Sequence, residues 1–231
     1  MLRNTFQNDT AILFFANSAE KDFARKNFTS QAIPLFQDLT QHTLQTIEHT
    51  GLPFFHFSEK EQVGETFGER FCHALESIYA LGFTKVISVG NDSPNLTANH
   101  ILEAQFQVSK KSAVLGPTLD GGLFLLGLHK DMFQKQSFQA LPWQSSGLYQ
   151  QLVFQLEMKG VDLVSLNTLE DIDSVMDVKR LSNFIKRFSA YWIGLFSTIF
   201  YFGQLNTLVP IPIYKNRSFR APFNKGSPFN G

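Results

Sequence analysis

The sequence predicts an α/β fold, a three-layer αβα sandwich built on a mainly parallel, mixed sheet. Three observations predict it. Continuous apolar runs of strand length recur along the chain, as expected of strands buried on both faces. Segments with apolar residues at helical spacing lie between them, and glycines and short polar turns separate the two kinds. Alternation of this sort favours parallel strands whose connecting helices cover both faces of the sheet.

The first strand is "AILFFA" at 11–16, apolar throughout. Leu35, Leu39, Leu44 and Ile47 then follow at helical spacing, and Gly51 closes that helix. "LPFFHF" at 52–57 reads as the next strand. Phe67, Phe71, Leu75, Ile78 and Leu81 line one face of a second helix, which Gly82 ends. "TKVISVG" at 84–90 is a third strand and "TANHILEAQFQV" at 97–108 a further helix. "SAVLG" and "LFLLGL" are strands with "PTLDGG" turning between them. "GLYQQLVFQLEMKG" reads as helix, "VDLVSL" at 161–166 as strand and "VMDVKRLSNFIKRF" as a last helix.

A chain of 231 residues suits one such domain with additions. The division expected is a domain at 1–187 and an extension at 188–231, rich in aromatics, proline and glycine. The extension would pack on the domain or on a partner subunit, which makes a homodimer through it an expectation. Its longest apolar run, "AYWIGLFSTIFYF", is shorter than the roughly 18–20 residues a spanning helix needs, so no transmembrane segment is expected.

Basic and acidic residues balance at 20 each, so no strong field marks a nucleic-acid binder. Cys72 is the only cysteine, which excludes an internal disulfide and reads as a buried small hydrophobe. No secretory leader is evident, and a cytoplasmic location is the expectation. None of the six histidines has metal-ligand spacing.

In parallel sheets, ligands bind beyond the carboxyl ends of strands. That rule singles out residues 16–21, 91–95 and the surroundings of Asp120. Asp92, in "VGNDSPNL", is placed to hold Mg²⁺ or Mn²⁺, which prefer oxygen ligands and often bridge to phosphates. Residues 91–93 also suit an Asx-type turn capping the next helix, and taken alone they favour the turn. Gly121 and Gly122 after Asp120 permit positive φ and close backbone approach, for a hairpin or for a ligand cradle.

Taken in order, "QVGETFGERF", "VISVGNDSPNLTANHI", "VLGPTLDGGLFLLGL", "LPWQSSGLYQQL" and "DIDSVMDVKRL" resemble the DUF2064 family, also called selenodomain-associated transferase 1 proteins. These are glycosyltransferase-like proteins of the GT-A, nucleotide-diphospho-sugar transferase fold, and the resemblance spans residues 11–187. It implies that Asp92 binds the divalent ion that neutralises a nucleotide's diphosphate, with Asp173 as a second ligand. Asp171 belongs to the same late acidic motif, and Asp177 reads as a helix cap. Asp120 would face the acceptor or sugar, to orient the acceptor or act as base; Asn91, Gly121 and Gly122 belong to the matching binding motifs.

Arg70 matches a further motif and is read as a phosphate or base contact, or equally as a surface ion pair. Trp143 is read as core packing before ring stacking. The first loop departs from the family pattern. Where the family carries a proline- and glycine-containing loop followed by Lys-Thr-Arg-Leu, this chain has "ANSAEKDFARKNF". Arg25 and Lys26 are then phosphate-contacting residues or a solvated helix face.

Two functions are therefore expected. One is metal-dependent glycosyl or nucleotidyl transfer from a nucleotide-activated donor to a small-molecule acceptor. The other is a catalytically degraded descendant serving as a binding or assembly module.

Overall fold

A computed structural model describes residues 9–26, 33–173 and 177. Six strands form one sheet: β1 (Thr10–Phe15), β2 (Phe54–Phe57), β3 (Lys85–Val89), β4 (Ser112–Pro117), β5 (Leu123–His129) and β6 (Asp162–Ser165). Their order across the sheet is β2-β1-β3-β5-β4-β6. β5 runs antiparallel to its neighbours β3 and β4, and the other pairings are parallel. The reason is local. β4 and β5 are joined by a tight turn, and a parallel pair would need a crossover of a dozen or more residues.

The helices are α1 (Ala19–Arg25), α2 (Ile33–Glu48), α3 (Phe67–Ala80), α4 (Ala98–Gln107), α5 (Lys135–Gln139) and α6 (Leu148–Glu157). They cover both faces. On one, Leu13, Val86, Leu115 and Leu126 pack against Phe71, Leu75 and Ile78 of α3, Phe138 of α5 and Leu152 and Leu156 of α6. On the other, Ile12, Phe14, Ile87, Val114 and Leu125 meet Ile47 of α2 and Ile101 and Ala104 of α4. Neighbouring strand residues thus enter opposite cores, which is why the strands are continuously apolar.

α3 starts with a reciprocal cap. The Thr66 hydroxyl accepts from the Glu69 N–H, while the Glu69 carboxylate accepts from the N–H groups of Thr66 and Glu65. Its predicted end at Gly82 has φ 101°, a conformation suited to glycine. Leu81, expected on the buried stripe, is 51% exposed because it lies past the last helical residue.

α1 and α5 are not among the predicted elements: each is short and lacks a long apolar stripe. The helix expected at 175–188 lies outside the described residues, Asp177 excepted. The extension at 188–231 and the dimer through it lie outside them as well. No helix among the described residues is long and apolar enough to cross a membrane.

Candidate active site

Four segments converge at the carboxyl ends of β1 and β3. β1 delivers Ala16 and Asn17 to the start of α1, and β3 delivers Gly90, Asn91, Asp92 and Ser93. The β4–β5 turn supplies Thr118, Asp120 and Gly122. The fourth segment, around Asp171 and Asp173, is held beside that turn by the Leu119 N–H donating to Leu169 O (3.2 Å) and the Leu169 N–H to Pro117 O (3.1 Å). It is pinned to the end of β3 by the Ile172 N–H donating to Asp92 O at 2.9 Å. Together they wall a cleft of about 860 Å³.

Asp120 makes a turn and faces the cleft at once. Its Oδ1 accepts from the Thr118 hydroxyl (2.5 Å) and the Gly122 N–H (2.9 Å). Gly121 has φ 91°, and a Cβ there would lie 2.1 Å from the Ser146 carbonyl oxygen. That glycine is required by the approach of the 144–147 loop, and Gly122 is the one lining the cleft.

Asp120, Asp171 and Asp173 each offer a carboxylate oxygen, all within 4.8 Å of one another. Burial, with Asp120 and Asp173 nearby, pushes the Asp171 carboxyl up to about 7. An all-oxygen, acidic donor set of this kind fits Mg²⁺ or Mn²⁺.

Asp92 lines the cleft with a lysine against it. Lys26 Nζ donates to Asp92 Oδ1 at 2.5 Å and to the Ile172 carbonyl at 2.8 Å, and lies 2.8 Å from Asp173 Oδ1. An ammonium therefore bridges the two carboxylates expected to share a metal. Burial works to lower the Lys26 pKa, but Asp92 and Asp173 outweigh it and hold the amine charged. The side chain is 4% exposed, so Lys26 is not a solvated helix face, and it lines the cleft.

The remaining expected residues divide. Arg25 lines the cleft with its side chain 42% exposed, 3.9 Å from Asp22. Arg70 also lines it, while Nη1 donates to Glu65 O at 2.8 Å. The Asn91 amide is committed inward, donating to Asp22 Oδ2 and Thr40 Oγ1. Trp143 packs against the Phe67 and Phe71 rings and donates to Phe138 O. The Asp177 carboxylate accepts from the Asp173 N–H at 3.2 Å. Cys72 is buried, and burial pushes its thiol up to about 12, so it remains protonated.

Three residues escaped the sequence reading. Asp22, 2% exposed, accepts from both Asn17 and Asn91 and braces α1 against the end of β3. The Glu59 carboxylate accepts from the Ser18 N–H (2.7 Å) and hydroxyl (2.8 Å). Ser88, buried in β3, lines the cleft, and its hydroxyl has no hydrogen-bond partner among the described residues. No spacing rule marks any of the three: Asp22 and Glu59 gain their roles from partners distant in sequence, and Ser88 from its place at the cleft end of β3.

A family model described as "Uncharacterized protein conserved in bacteria (DUF2064)" matches residues 14–145. The chain belongs to the DUF2064 family. The matched region holds the ends of β1 and β3, α3 and the β4–β5 turn, so most of the cleft is family structure.

Among solved structures, a "putative nucleotide-diphospho-sugar transferase" from Desulfovibrio desulfuricans is similar at a TM-score of 0.72 and 21% identity, covering 86% of this chain and 97% of that one. A Methanothermobacter nucleotidyl transferase matches at a TM-score of 0.45 and 12% identity, over 77% of this chain and 97% of that one. The first likeness establishes a nucleotide-diphospho-sugar transferase-like fold for this DUF2064 member. No curated protein matches the chain.

Proposed function

We propose that the protein is a metal-dependent transferase acting on a nucleotide-activated donor, by glycosyl or nucleotidyl transfer to a small-molecule acceptor. The observation that carries this reading is the meeting of Asp120, Asp171 and Asp173 within 4.8 Å in a cleft whose rim also carries Arg25 and Arg70. Acidic oxygens and guanidinium groups lining one cleft suit a ligand that brings both a cation and phosphate.

Asp171 and Asp173 would hold Mg²⁺ or Mn²⁺ together with Asp120, and the ion would supply charge neutralisation at a departing diphosphate. Arg25 and Arg70 orient phosphate oxygens from the rim. Asp120, fixed by Thr118 and Gly122, is set to accept a hydrogen bond from an acceptor hydroxyl.

A thermal-shift series with UDP- and GDP-sugars, with and without Mn²⁺, tests the reading. The expected result is stabilisation by one nucleotide that requires Mn²⁺ and is lost in both Asp120→Ala and Asp171→Ala. Indifference of the intact protein to every nucleotide would overturn it.

A second reading, a binding module that has lost transfer, is favoured by one observation. At the start of α1, where backbone N–H groups could cradle phosphate, the Ser18 N–H already donates to Glu59. Nucleotide binding without turnover of any donor would select this reading.

A further inference from the structure

Lys26 Nζ has the surroundings of a bound cation. Three oxygens contact it: Asp92 Oδ1 at 2.5 Å, Asp173 Oδ1 at 2.8 Å and the Ile172 carbonyl at 2.8 Å. Two of those oxygens are acidic. A divalent ion bridging the end of β3 to the 171–173 segment would need the same atoms. The amine is held there by built structure. Its residue follows the last turn of α1, where the Lys26 N–H donates to Asp22 O at 3.0 Å. α1 is tied at its other end, where Ser18 bonds to Glu59. The ammonium also stands 5.7 Å from the ring centroid of the buried Phe36.

We infer that Lys26 is the resident cation of the Asp92–Asp173 pair, confining a divalent ion to Asp120, Asp171 and Asp173 and setting the cleft's affinity for it. The inference rests on the reading of the cleft as a divalent-ion site.

Two physical consequences lead to that statement. Asp173 is shared between the acidic trio and the Lys26 contact, so an ion at the trio lies close to a positive charge and is repelled by it. Asp92, engaged by the ammonium, contributes its charge to Lys26 instead of to the ion. Removing the ammonium relieves the repulsion and releases a fourth carboxylate, and both changes strengthen divalent binding. Lys26 thereby acts as a positioning residue for the ion rather than as a group that touches the reacting atoms.

The experiment measures Mn²⁺ binding to the full chain by electron paramagnetic resonance, with no nucleotide or substrate present. Lys26→Met, which keeps the stem and removes the charge, is expected to tighten Mn²⁺ binding by about tenfold or more. Asp92→Asn in the otherwise unaltered chain should change it by less than about threefold, because Asp92 is engaged by Lys26. The same substitution added to Lys26→Met should remove most of what that variant gained. Lys21→Met, which takes a charge from an exposed position on the cleft, controls for net charge and should stay within about threefold.

Equal Mn²⁺ affinity in Lys26→Met and the unaltered chain would overturn the inference while leaving the proposed function standing. Binding by Lys26→Met where the unaltered chain binds neither Mn²⁺ nor nucleotide would uphold it and sink the proposed function. No Mn²⁺ binding in either chain would overturn both the inference and the metal dependence of the proposed function.

Should Lys26→Met fold only when Mn²⁺ is added, judged by circular dichroism, the ion has replaced the amine as the inference requires. Should it fail to fold with Mn²⁺ as well, Lys26→Gln keeps hydrogen-bonding capacity without the charge and takes its place, and no gain in affinity there would overturn the inference.

Discussion

Asp171 is a buried carboxyl beside Asp120 and Asp173, and its pKa rises from the ordinary 3.8 to about 7. In ion-free protein the folded chain therefore keeps a proton that the unfolded chain has lost between about pH 4 and pH 7. Stability contributed by this group is present below the lower value, falls as pH rises through that window and levels above it. Asp171→Asn removes the titration. The stability difference between Asp171→Asn and the unaltered chain should thus grow from about pH 4 to pH 7, read by chemical denaturation at several pH values with a chelator present. A pH-independent difference would show that Asp171 titrates normally in the fold. Asp171 itself was legible as part of an acidic motif. Its burial was not, because that depends on the 169–172 segment docking against the end of β4 and against Asp92.

At the scale of the element, α3 shows how local chemistry positions the site. Thr66 caps the helix that carries Arg70 to the rim and Phe71 to the core. Thr66→Ala removes one side of the capping box and should cost about 1 kcal/mol, seen as a lower denaturation midpoint at unchanged slope. Loss within the error of the measurement would mean that packing alone holds this end. The apolar stripe of α3 is readable from spacing, and so are the continuous strands β1, β3, β4 and β5. α1 is not readable in this way. "AEKDFAR" carries charges at nearly every turn, and its place is fixed by Asp22 reaching Asn91 and by Ser18 reaching Glu59.

For the whole molecule, the sheet order brings four chain segments to one cleft, and the proposed dimer bears on the far end of the chain. A homodimer through residues 188–231 is a proposal that removal of those residues tests. The shortened chain should fall to monomer mass by light scattering, and an unchanged oligomer counts against that interface.

The sequence by itself determined the alternation of strands and helices, the buried faces and the family, because apolar periodicity and ordered motifs are properties of neighbouring residues. It also marked Asp92, Asp120, Asp171 and Asp173 as the carboxylates to watch. Only the tertiary structure decided how they are shared: Asp120 and Asp171 with Asp173, and Asp92 with Lys26. The Lys26–Asp92 contact joins residues 66 positions apart. Distance in space between such groups is set by sheet order and helix docking, which no local pattern encodes.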